Sequence, residues 1–257
     1  MPEIHTTPPL SISTIAEGPA FAETLLMARI KEKDLHPKDR CLECIEMLKK
    51  GTVIEGRQRA AVQNFYLGHF YEQVAARTDD PQASKFFAEA ALAHYNSLIR
   101  AGGLQGEPFF YAHLRTGQLM NFLGSTWPPC EKILLQAYAL APGRGEPMEA
   151  IIRYYLSAQQ WAIAYIFSSF SKDNFFNKLP LKNIAWGLHD NFYHWKVLDL
   201  HTAVCFNAGA MEEAWDTYST LLQRTTTAPQ HFTTEDLKKI LDKGSLFQQN
   251  TAAACPN

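Results

Sequence analysis

Apolar residues recur every three or four positions along most of this chain, the period of an amphipathic helix, and short breaks rich in proline, glycine or polar residues divide the recurrence into paired segments. Phe21, Leu25, Leu26 and Ile30 mark a first helix from about Pro19 to Lys31, and Cys41, Ile45 and Leu48 a second that opens near Pro37 and ends at Gly51. Ala60, Val62, Phe65, Tyr66, Phe70, Tyr71 and Val74 predict a helix from Gly56 to Ala76. Pro81 then opens another that reaches Arg100, with Phe86, Phe87, Ala90, Ala91, Tyr95 and Ile99 as its apolar stripe. The pairs Glu107-Pro108 and Glu146-Pro147 each begin a further hairpin, about 40 residues apart, a spacing found in helical-repeat arrays. The stretch from Ser171 to His189, interrupted by Pro180 and Gly187, is expected as a longer connection. A last hairpin follows, from Phe192 to Phe206 and from Met211 to Gln223. Thr234 is then expected to cap a short helix ending near Asp242.

No run of β-branched residues bounded by turns predicts a sheet. The fold class is therefore all-α. Residues 1–16 are expected as an irregular leader, 17–243 as a single helical domain and 244–257 as a flexible tail. A lone helical pair cannot bury its apolar face, so successive antiparallel hairpins are expected to stack as a superhelical array with a concave groove. Gly68 and Gly117 fall inside helices, where a close crossing would justify the cost of glycine.

Composition narrows the function. With 46% apolar residues among 257, the chain can bury a large core, and 24 Lys plus Arg against 26 Asp plus Glu give no basic field for nucleic acid. The N-terminal residues carry neither a positive run nor an apolar segment, so no secretory or transit signal is expected. No stretch approaches the ~18 apolar residues of a membrane span. Five scattered cysteines fit free thiols and a cytoplasmic location. Cys41 and Cys44 form a C-x-x-C pair, but on a helix rather than at a strand-helix unit, which argues against redox chemistry.

Leu67, Gly68 and Tyr71 have the leucine-glycine-tyrosine spacing of a tetratricopeptide first helix. Residues 105–223 more closely resemble a divergent tetratricopeptide-like domain that occurs alone or attached to family-two glycosyltransferases. The resemblance is carried by Ala141, Pro142, Arg144, Glu146 and Pro147 with Tyr154 and Tyr155, and then by Tyr193, Trp195, Leu198, Asp199, Gly209, Glu212, Glu213 and Ala214. Gly145 and Asn191 depart from its pattern. The resemblance implies a tetratricopeptide-like fold and a glycan-assembly enzyme as a possible partner. Without a transferase domain or a D-x-D motif, it implies no transferase activity here.

Arg144, Glu146, Asp190, Tyr193, His194, Trp195 and Asp199 form the candidate binding cluster. Trp195 and Asp199, four apart on a helix, could line one groove wall for a peptide or glycan. The alternative for the same residues is an internal Arg–Glu or Arg–Asp pair locking adjacent repeats, with Trp195 in the core. Groove recognition requires Arg144, Tyr193 and Trp195 to be partly exposed. His189, His194 and His201 lie near Asp190 and Asp199, but His194 and His201 stand about 10 Å apart along one helix, too far to share zinc. No metal and no cofactor are therefore expected. Catalytic motifs are absent, and Cys205 beside His201 is expected to be a core thiol. Phe65, Phe86, Tyr155 and Tyr165 are expected in the core, and at least one of Phe109, Phe110 and Tyr111 should face a neighbour or partner.

The leading expectation is a non-catalytic scaffold that binds a protein or peptide, without nucleic acid or a membrane span. Its rivals are a carbohydrate-binding accessory or enzyme, with a pocket near Asn174 to Lys182, and a purely structural or oligomerising domain with a broad apolar face on Phe109–Tyr111 or on the C-terminal helix.

Overall fold

The computed structural model describes residues 37–50, 57–180 and 186–254. The expected leader and the helix from Pro19 to Lys31 lie outside them. Contacts divide the chain into two compact units between Ala141 and Pro142, a boundary inside the stretch expected as one domain. The described residues are all-α and form antiparallel helical hairpins of tetratricopeptide-like kind.

In the first unit, helices α1 (Pro37–Lys50), α2 (Arg57–Ala76), α3 (Pro81–Ala101), α4 (Glu107–Phe122) and α5 (Trp127–Leu140) pack in sequence, each on the next. Asp80 caps α3: its carboxylate accepts the Gln82 and Ala83 amides at 3.1 and 3.2 Å, and Pro81 supplies the first turn. The close crossings depend on glycine. A methyl group at Gly68 would lie 2.8 Å from Tyr95 Cε1, and one at Gly117 would lie 2.7 Å from Leu134 Cγ. Tyr95, seated against Gly68, sets the inward face of α3 at Ala88, Ala91, Tyr95 and Leu98. Phe86, expected in the core, is consequently turned out and is 64% exposed. The Tyr95 hydroxyl donates to Glu72 Oε2 at 3.0 Å, and Arg115 pairs with Glu72 Oε1 at 2.5 Å, so α2, α3 and α4 meet around one buried carboxylate. Phe110 and Tyr111 are buried in this unit, and the Tyr111 ring meets those of Phe65 and Tyr95 edge-on.

In the second unit, α6 (Glu146–Ser157) packs on α7 (Trp161–Phe175). A five-residue π turn (Phe192–Lys196) leads into α8 (Val197–Ala208), which contacts both α6 and α7, and α9 (Met211–Thr227) then pairs with α8. A 3-10 turn (Pro229–His231) connects to α10 (Thr234–Ala254), which rests on α9. Helix α7 continues to Phe175, into the stretch expected as a connection, because Ser168, Ser171 and Phe175 prolong its buried face. Helix α10 likewise runs past Asp242. Its cap is Thr233 rather than Thr234. Thr233 Oγ1 accepts the Asp236 amide at 3.1 Å, and Asp236 Oδ2 accepts the Thr233 amide at 3.0 Å, a reciprocal capping box.

Candidate functional site

The turn between α5 and α6 places Arg144, Gly145 and Glu146 immediately before Pro147, which fixes the first turn of α6. Arg144 Nε donates to Glu146 Oε2 at 2.9 Å, and Arg144 Nη2 to the Trp186 carbonyl at 3.0 Å. The Tyr193 hydroxyl donates to the same Glu146 oxygen at 3.0 Å and accepts the Gly145 amide at 2.8 Å. The His189 amide donates to the other Glu146 oxygen at 3.1 Å. Gly145 is required by contact, since a methyl group there would lie 2.4 Å from Phe192 Cε1. Burial, reinforced by the Glu146 charge, raises the Tyr193 phenol above its ordinary pKa and keeps it a hydrogen-bond donor. Charge-assisted bonds of this kind offset the cost of burying an ion pair.

Arg144 is 2% exposed, Tyr193 0% and Trp195 4%, so these three side chains offer a groove almost no surface. The Trp195 indole donates to the His231 carbonyl at 3.0 Å and stacks on Phe232, which holds the 3-10 turn in place. Asp199 pairs with Lys243 and ties α8 to α10. Trp195 and Asp199 therefore serve different contacts. Of the seven sequence candidates, Arg144, Glu146 and Tyr193 share one network. Asp190 and His194 form a second group: His194 Nε2 lies 3.5 Å from Asp190 Oδ2, and the His194 ring stacks on that of His231 with centroids 3.6 Å apart.

Sequence reasoning missed two further clusters. His189 Nδ1 lies 2.8 Å from Glu149 Oε2, and Arg153 Nη2 lies 2.7 Å from Glu149 Oε1. Burial works to raise the Glu149 carboxyl, but the His189 hydrogen bond and the Arg153 charge outweigh it and hold the group below its ordinary pKa. Deeper in the unit, His201 lies between α7 and α9, with Nδ1 2.9 Å from Ser168 Oγ and Nε2 2.9 Å from Glu213 Oε1. Tyr165 and Lys172 also donate to Glu213, at 2.6 and 2.9 Å. These bonds, led by that of Tyr165, hold the Glu213 carboxyl at about 2. Cys205 Sγ lies 3.4 Å from His201 Nε2, yet burial and the Glu213 charge push its thiol up to about 11, so it remains a protonated core group. Glu213 was legible only as part of the resemblance. His231, in a segment without periodicity, carried no signal.

Cys41, Cys44, Cys130 and Cys205 are buried thiols. No helix among the described residues is long and apolar enough to cross a membrane. Part of the stretch from Asn174 to Lys182, where a pocket was considered, lies outside the described residues.

The chain matches no family model, no curated protein and no solved structure. Its likeness to helical repeats is one of fold and stands on the helical hairpins themselves. Nothing ties the fold to glycosyltransferases.

Proposed function

We propose that this chain is a non-catalytic helical-repeat module that binds the apolar face of a helix on a partner protein, using the outer face of α7. One observation carries the reading. Ile163, Ile166 and Phe170 stand three and four residues apart on α7, on one helical face, and are 37%, 66% and 37% exposed. The opposite face of α7 is already occupied, with Ala164, Ser168, Ser171 and Phe175 buried. Single exposed apolar residues are ordinary, but three large ones on one stripe make a continuous ridge of the kind partner helices pack against. The cluster around Arg144 and Trp195 acts in this reading as an internal lock that fixes the geometry of the second unit. A partner within glycan assembly is proposed on the sequence resemblance of residues 105–223 alone.

The test places a photo-crosslinking amino acid at Phe170 of the full chain and repeats the experiment in an Ile166→Glu background with an unchanged thermal melt. The reading expects a discrete crosslinked partner that binds the purified chain directly and loses at least about tenfold in affinity in the Ile166→Glu protein, the order of one buried apolar anchor. Crosslinks confined to the chain's own residues, crosslinks to a second copy, or a partner indifferent to Ile166→Glu would each overturn it.

A further inference from the structure

The geometry points to a divalent transition-metal site formed by Asp190, His194 and His231. Each residue offers one ligand atom, and the three atoms lie within 4.8 Å of one another. Two imidazoles with one carboxylate form a donor set suited to zinc, nickel, cobalt or ferrous iron, and too rich in nitrogen for magnesium or calcium. Ligand atoms about 2 Å from a shared ion stand roughly 3–3.5 Å apart, so the His194 and His231 rings, stacked with centroids 3.6 Å apart, must swing apart to aim one nitrogen each at the ion. His194 Nε2 and Asp190 Oδ2 are already 3.5 Å apart.

The backbone holds the ligands in place. Asp190 and His194 are one turn apart where the chain enters the π turn, a local distortion that recurs at functional positions. His231 closes the 3-10 turn, and the hydrogen bond from the Trp195 indole to its carbonyl, together with the stacking of Trp195 on Phe232, holds that turn against the π turn. The trio is thus assembled from residues about 40 positions apart by contacts that do not use the ligand atoms. Asp190 is half exposed, which leaves one side of the site open to water or an exogenous ligand.

Arg224 is the nearby cation whose charge opposes this assignment by repulsion; its guanidinium donates to Asn177 Oδ1 at 2.6 Å and lies over the Phe176 ring. The other three-residue group, His201, Cys205 and Glu213, is the weaker candidate. The Lys172 ammonium already occupies the Glu213 oxygen that faces His201, and Ser168 occupies the second His201 nitrogen.

The experiment uses full-length protein stripped of metal by chelator, titrated with zinc by calorimetry and with cobalt by absorption spectroscopy. The expected result is one ion per chain and a cobalt spectrum without a thiolate charge-transfer band. His194→Ala and His231→Ala should each weaken binding beyond the ten- to hundredfold that a supporting residue costs. His231→Gln serves as a second variant should the alanine protein not fold. Cys205→Ser should bind as the parent does. Absence of stoichiometric binding would overturn the site. So would unchanged affinity in the histidine variants, or a thiolate band abolished by Cys205→Ser.

Discussion

The Glu146 carboxylate receives donors from Arg144, Tyr193 and His189 without exposure to water, so its removal leaves a guanidinium buried beside unpaired groups. Glu146→Ala should therefore lower stability by about 3–5 kcal/mol, whereas the double variant Arg144→Met/Glu146→Leu should cost clearly less. Urea unfolding of both proteins measures the difference, and equal losses would contradict a lock built on the pair. Gly145→Ala should cost about 1–3 kcal/mol through its clash with Phe192. The sequence grouped Arg144, Glu146 and Tyr193, and these three do meet in one hydrogen-bond network. It did not disclose their burial, because a groove and an internal lock both use charged and aromatic side chains. Nor did it disclose His231, whose partner His194 lies in a different segment and shares no pattern with it.

At the scale of elements, the hydrophobic period located nearly every described helix, and the errors concern register and ends. Phe86 satisfied the period as well as Tyr95 did. What decided the face of α3 was Gly68 on the neighbouring helix, a long-range contact that no local pattern encodes. Helix α10 extends beyond its apolar stripe into a polar, alanine-rich stretch. Its capping box should be worth about 1 kcal/mol, so Thr233→Ala should lower the thermal midpoint and Thr234→Ala should leave it nearly unchanged. Circular dichroism melts of the two variants give the comparison. The reverse order would place the cap at Thr234.

At the scale of the molecule, five histidines among the described residues lower stability in acid. His69, His94, His113, His194 and His201 all lie below their ordinary value, chiefly through burial, and His69 is lowered to about 4. Below about pH 6.5 the unfolded chain binds protons at these sites that the folded chain refuses, so stability falls as pH drops through that range. A second loss begins below about 4.5. The stability contributed by the depressed carboxyls of Glu149 and Glu213 is complete above that value and disappears as they are protonated, down to about 2 for Glu213. Urea midpoints recorded between pH 8 and 3 should show both declines, and His69→Phe should reduce the first.

The central claim is that recognition belongs to the outer face of α7, with the Arg144–Trp195 cluster acting as internal architecture. Hydrogen exchange of the full chain, with and without the partner captured through Phe170, tests it most directly. The account predicts added protection concentrated in residues 161–175, with little change over 186–199. Protection concentrated over 186–199, with 161–175 unchanged, would contradict it and return the binding site to the cluster around Arg144 and Trp195.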